Sequence, residues 1–187
     1  MTETILKMQK KVKRYLDKDR YDHTIGVMHT AGCLAMRYGA DLEKALIAGL
    51  LHDCAKCVPS AEKIKLCERN HIEISEAEYQ NPGLLHAKLG AFFARKKYGI
   101  EDEEILRSIE SHTTGRPKMS LLDKIIYIAD YMEPGRDVAP NLPEVRALAF
   151  VDLDACLYRI LEDTLAYLEK KGATVDPATE ETFLYYK

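Results

Sequence analysis

The chain has 187 residues, 47% of them hydrophobic and 30% charged, with a net charge of −3. That length allows one domain, residues 1–187, with a substantial core, and the slight acidic balance excludes a duplex-binding protein, which would carry a basic surplus. No apolar run approaches the ~18 residues that cross a bilayer, and five cysteines without an apolar leader read as reduced thiols, so a cytoplasmic protein making no membrane contact is expected.

Helical periodicity runs from end to end and no strand pattern competes, so the fold class is all-α with about ten helices. Residues 3–16 alternate apolar residues with lysines. Asp19 is placed to cap a helix ending at Tyr38 before Gly39, and Asp41 to cap an almost wholly apolar one from Leu42 to about Cys54. Pro59-Ser60 starts the next, and Ser75 to Glu78 has capping-box spacing before a short helix. Leu84 to Tyr98 ends at Gly99; Glu101 to Ser111 follows; Ser120 caps a helix to Glu133, stopped by Pro134-Gly135. A short helix opens at Asn141-Leu142-Pro143, a long one runs from Val151 to Lys171 before Gly172, and Asp176-Pro177 begins the last.

The six histidines carry most of the information. His52-Asp53 ends a helix that is otherwise core (Ala45 to Leu51), where an imidazole and a carboxylate cost several kcal/mol unless both find partners. A divalent metal satisfies both, and Asp53 could bridge to a second ion. Asp130 follows Ile125-Ile126-Tyr127-Ile128-Ala129 and poses the same problem. His23, His86 and His112 lie on three further helices or at their ends. Neutral imidazole with carboxylate suits Fe, Mn, Co, Ni or Zn. His29 and His71, outside any motif, read as hydrogen-bonded core residues. Cys54 and Cys57 have C-x-x-C spacing but neither a second pair nor a leading strand, so they read as structural thiols. Gly26, Gly49 and Gly90 each share a helical face with a histidine, as close helix approach around a compact centre would require.

The order His23, His52-Asp53, His86, His112, Asp130 resembles the HD phosphohydrolase superfamily in its two-metal form. The segments around His23 (Arg20 to Val27) and His52 (Ala48 to Lys56), with His112-Thr113-Thr114-Gly115 and Tyr127 to Arg136, are similar to the bacterial symmetrical diadenosine tetraphosphate hydrolases. The resemblance covers residues 16–165 and departs at no ligand position. It implies an α-helical HD fold and a pair of iron ions, replaceable by Mn or Co. His23, His52, Asp53 and Asp130 would hold one ion, and Asp53 would bridge to a second on His86 and His112. The implied activity is hydrolysis of diadenosine tetraphosphate to two ADP.

Two ions can polarise the attacked phosphoryl group and supply hydroxide at neutral pH, so Asp53 and Lys56 are the catalytic candidates. Lys56 lies four residues after His52 and three after Asp53 and is placed to neutralise phosphate charge; meeting the helix dipole is its plain alternative. Arg20, Arg136, Thr113 and Thr114 are further phosphate-binding candidates, against ordinary salt bridges and caps. Asp123, seven residues before Asp130, reads as a carboxylate orienting a ligand histidine. Tyr79, Tyr127 and Tyr131 are candidates to stack on adenine, although tyrosines at helical spacing more often belong to the core. The aromatic last helix suggests a homodimer surface. Three rival readings stand beside this one: an HD phosphohydrolase for a deoxynucleoside triphosphate or alarmone, a single-metal enzyme with structural His86 and His112, and a nucleotide-binding module with a vestigial centre.

Overall fold

A computed structural model describes residues 1–139 and 141–187. Among them are eleven α-helices and no strand: α1 Glu3–Val12, α2 Lys18–Tyr38, α3 Leu42–Leu51, α4 Ser60–Arg69, α5 Glu76–Gln80, α6 His86–Tyr98, α7 Glu103–Ser111, α8 Leu121–Met132, α9 Leu142–Leu148, α10 Leu153–Lys171 and α11 Pro177–Tyr186. None is long and apolar enough to cross a membrane.

Local chemistry sets the ends. Gly39, Gly99 and Gly172 close α2, α6 and α10 in the left-handed region, where a residue without Cβ is unstrained. Ser75 and Ser120 form capping boxes with Glu78 and Asp123. The start of α2 differs from expectation, because Asp17 caps it by accepting the Arg20 N–H at 2.8 Å. The reason lies one residue earlier: Leu16 is buried, and Tyr21, four places into the helix, packs on the same core. This apolar pair across the helix start fixes the chain entry at 16–17, leaving Asp19 in the first turn where its charge still favours the dipole.

Helix α3 also ends earlier than its apolar run suggests. Beyond Leu51 the chain tightens into three-residue turns, with Cys54 N–H to Leu51 C=O at 3.1 Å, Lys56 N–H to Asp53 C=O at 2.9 Å and Val58 N–H to Ala55 C=O at 3.2 Å. In such turns residues three apart eclipse one another, which stacks Lys56 over Asp53.

The long α2 packs along α3 and α8, α7 packs against α3, α6 and α8, α10 packs on α8, and α11 packs on α10. The main core lies among these helices, and a smaller apolar cluster of Cys54, Ala55, Cys67, Leu85, Leu89 and Phe93 supports the 52–57 turns from the α4 and α6 side. Glycines permit the closest approaches. A Cβ on Gly49 would sit 2.9 Å from the Met28 Cα, and one on Gly90 would sit 3.2 Å from the His52 carbonyl oxygen. A Cβ on Gly26 would collide with the Glu133 carboxylate. All three positions therefore serve the packing that surrounds the histidines.

Candidate metal centre

Five elements deliver the site. His23 comes from the second turn of α2, His52 and Asp53 from the turns after α3, His86 from the first residue of α6, His112 from the C-cap of α7 and Asp130 from the last turn of α8. His52, Asp53, His86 and His112 are buried, and His23 and Asp130 are partly so.

Each imidazole is oriented from behind. The Nδ1–H of His52 donates to the Gly49 carbonyl at 2.8 Å, that of His86 to Gly83 at 2.6 Å and that of His112 to Ile109 at 2.6 Å. Every partner lies three residues earlier in the chain. A carbonyl only accepts, so these three rings carry their proton on Nδ1 and present an Nε2 lone pair to the centre. His23 is backed differently, by the Glu133 carboxylate 3.1 Å from its Nδ1.

The inward atoms converge on Asp53. Its Oδ2 faces His52 Nε2 at 3.5 Å and His23 Nε2 at 3.9 Å, while Asp130 Oδ1 lies 3.0 Å from His23 and 3.7 Å from His52. Its Oδ1 faces His86 Nε2 at 3.1 Å and His112 Nε2 at 3.6 Å. Asp53 thus stands between two donor clusters, one oxygen toward each.

The donors fit a divalent cation. The His86 and His112 Nε2 atoms are 3.0 Å apart, two lone pairs facing each other. His23 Nε2, His52 Nε2 and Asp53 Oδ1 are buried with no hydrogen-bond partner among the described residues. Only a cation reconciles that many converging acceptors at such depth. The protonation states agree. Burial pushes the His86 pKa down to about 4, keeping the ring neutral.

The phosphate-binding candidates lie at different distances from this centre. Lys56 Nζ is 3.1 Å from His86 Nε2 and 3.9 Å from Asp53 Oδ1. The Thr113 hydroxyl is 3.3 Å from His86 Nε2 and 3.2 Å from His112 Nε2. Arg20 donates to Asp53 Oδ2 at 2.8 Å and Arg136 to Asp130 Oδ1 at 2.7 Å, so both meet the site through its carboxylates. The Thr114 hydroxyl instead turns to the Gly115 carbonyl at 3.1 Å.

Three readings need correction. Asp123 orients no histidine; its carboxylate caps Ser120 and pairs with Arg116. Glu133 holds His23 in its place. His29 and His71 are exposed, His71 in the left-handed turn (φ 56°) that follows α4, where solvent replaces the buried partners anticipated for it. Of the tyrosines, Tyr127 is buried in the core, as tyrosines at helical spacing more often are, while Tyr131 donates to Asn141 at 3.0 Å and Tyr79 to Glu68 at 3.3 Å. Arg146 was missed as well. It ties together the backbone carbonyls of Met132 at 2.9 Å, Glu133 at 2.9 Å and Arg136 at 2.7 Å, fixing the turn that presents Glu133.

This fold and this His/Asp cluster define an HD-domain protein with a divalent-metal site. Residues 20–135 match the HD domain family, and the chain belongs to it. Within that family it is 45% identical, over 94% of its own length and 91% of the other's, to the Bacillus subtilis protein named bis(5'-nucleosyl)-tetraphosphatase, symmetrical. A Staphylococcus aureus protein of the same name is 35% identical over 97% and 94% of the two chains. The crystal structure of a predicted HD superfamily hydrolase involved in NAD metabolism, from Clostridium acetobutylicum, superposes with a TM-score of 0.93 at 43% identity, covering 96% of this chain and 95% of that one.

Proposed function

We propose that this protein hydrolyses diadenosine tetraphosphate symmetrically, to two ADP, using two divalent ions, with iron preferred and Mn or Co as substitutes. The observation that carries the two-ion reading is the division of Asp53, whose two oxygens face separate histidine clusters. His23, His52, Asp130 and Asp53 Oδ2 would hold one ion, and His86, His112 and Asp53 Oδ1 the other. Such a pair supplies charge neutralisation on the phosphoryl oxygens and a water acidified enough to attack at neutral pH.

The chain's own groups do the rest. The 52–57 turns project Lys56 toward the His86 side, where its half-buried ammonium neutralises charge on the departing ADP. The Thr113 hydroxyl donates to a phosphate oxygen there. Arg20 and Arg136 use part of their N–H forks on Asp53 and Asp130, orienting the ligands, and keep further donors for the polyphosphate. The relatives' names carry the choice of substrate, and the near-full overlap of the chains makes the whole reaction comparable. We place the protein in the cytoplasm, and propose a homodimer through α11, which exposes Leu184 and Tyr185.

The test is product identity. Metal-loaded protein given diadenosine tetraphosphate should release only ADP. ATP plus AMP would mean asymmetric cleavage and defeat the reading.

A further inference from the structure

The last helix does not bury its most apolar side. Its buried residues are two threonines, Thr179 and Thr182, while Leu184 and Tyr185 face solvent. The Thr182 hydroxyl is satisfied within the helix, donating to the Ala178 carbonyl at 2.6 Å, so its methyl side is left free to pack. A small side chain of this kind lets a neighbouring backbone come close, and the stacked rings of Tyr158 and Phe183, 5.4 Å apart, seat the helix on α10 so that the approach is fixed.

The backbone that comes close is the segment after α7. Gly115 lies against Thr182, where a Cβ would sit 2.7 Å from the Thr182 Cγ2 and 3.1 Å from its Oγ1. Gly115 has φ 69° and donates its N–H to the Ser111 carbonyl at 2.8 Å, which turns the chain off the end of α7. Four residues further along α11, on the same face, the Tyr186 hydroxyl accepts the Met119 N–H at 2.8 Å. Ahead of the helix, Thr174 donates its hydroxyl to Gln80 at 3.2 Å. Gln80 stands three residues before Gly83, whose carbonyl orients His86. Residues 174–186 therefore touch both loops that flank the His86 and His112 side of the centre, the one leading into His86 and the one leaving His112.

Thr113 lies between the fixed points of the second loop. His112, just before it, is tied to the Ile109 carbonyl, and Gly115, two residues on, is backed by Thr182. With both ends held, the Thr113 hydroxyl is kept 3.3 Å from His86 Nε2 and 3.2 Å from His112 Nε2. We infer that α11, which lies outside the 20–135 stretch matching the HD domain, supplies positioning residues for the hydrolysis: Thr182 and Tyr186 hold the 113–119 segment so that Thr113 points between the two histidines. The inference rests on the proposed hydrolase reading and adds residues that touch neither substrate nor ion.

Three substitutions test it. Thr182→Ala removes the support under Gly115, Thr182→Val keeps its shape without the hydroxyl, and Tyr186→Phe removes only the acceptor of the Met119 N–H. In manganese-loaded protein, Thr182→Ala and Tyr186→Phe should each lower kcat for diadenosine tetraphosphate about tenfold, less than a full ångström of misplacement costs, with a smaller change in KM. Thr182→Val should recover most of the loss. Once Thr113→Val is present, adding Thr182→Ala or Tyr186→Phe should cost about twofold or less, because residues acting through one group are not additive. In metal-free protein, amide hydrogen exchange across 113–119 should quicken about tenfold in both variants and keep the parent rate across α2. An equal loss with and without Thr113→Val, in protein that still yields two ADP, would overturn the inference, since Thr182 and Tyr186 would then stabilise the fold at large. Unchanged kcat and unchanged exchange in both variants would also overturn it. Activity regained on raising the protein concentration would assign the effect to a dimer surface, with the same consequence. Metal-loaded parent protein that cleaves no dinucleoside polyphosphate would remove the hydrolase reading and this one together.

Discussion

The two halves of the Asp53-centred site are built differently. The half formed by His23, His52 and Asp130 is set into the main core, on α2, α3 and α8, and it is rich in charge. Asp130 and Asp53 Oδ2 face it directly, Glu133 backs His23, and Arg20 and Arg136 answer two of these carboxylates. The half formed by His86 and His112 sits at the start of α6 and the end of α7. Both rings there are backed by neutral carbonyls, one Asp53 oxygen is shared with the other half, and Lys56 adds a positive charge. Three carboxylates against two arginines favour a cation in the first half; a shared carboxylate against a lysine disfavours one in the second. On the proposed two-ion reading, the first half would hold its ion the more tightly and the second would meet the substrate's own negative charge.

The largest effect should come from the residue common to both. Asp53→Ala removes one oxygen from each cluster, so it should lose both ions and at least about 10³-fold in kcat/KM, the several kcal/mol that metal polarisation contributes. Metal analysis beside the assay checks it, and a variant retaining two ions would dissolve the bridge. The comparison itself is tested next. His86→Ala should retain one ion and His52→Ala none, both with activity lost, because His52 serves the half expected to hold metal more tightly and His86 the other. Stepwise chelation of the intact protein should stop at one bound ion. A His52→Ala protein that keeps an ion while His86→Ala keeps none would reverse the assignment of tight and weak halves.

The six converging residues were legible in the sequence because they are chemically scarce. An imidazole or carboxylate closing the apolar runs 45–51 and 125–129 has no inexpensive explanation except a partner. Lys56 was legible for a partly mistaken reason: the helix expected to carry it ends at Leu51, but tight turns share the three-residue coincidence with a helix. Glu133 escaped because it lies past the end of α8, at extended ψ 152°, where helical-face arguments do not reach. Asp123 was misassigned because a seven-residue spacing matches Asp130's face, while its place three residues after Ser120 commits it to the cap.

Smaller effects sharpen the contrast in how the two halves orient their histidines. Glu133→Ala should weaken the first ion by about 10–100-fold, as loss of a group behind a ligand histidine generally does, with activity restored by excess metal. Glu133→Gln keeps an acceptor for the His23 Nδ1–H without the charge and should fall at the low end of that range. Equal loss in the two variants, measured by metal titration, would mean that Glu133 acts by holding the turn through the Gly135 N–H and not through His23.

The smallest effects concern the glycines that let each half close. In the first half a Cβ at Gly49 would meet backbone, 2.9 Å from Met28 Cα and 3.3 Å from the Val27 carbonyl oxygen. Backbone of two packed helices yields only by separating them, so Gly49→Ala should cost about 1–3 kcal/mol despite its better helix propensity, lowering the melting temperature by about 2–4 °C per kcal/mol. In the second half a Cβ at Gly90 meets the His52 carbonyl oxygen at 3.2 Å and the Ile109 Cγ2 at 3.3 Å, one of which is the end of a movable side chain. There the roughly 1 kcal/mol gained by replacing a helical glycine should nearly cancel the crowding, so metal-free Gly90→Ala should melt close to the parent. If Gly90→Ala proved the more damaging, the His86 half would be the more rigidly packed, and its weaker hold on metal would have to come from charge alone.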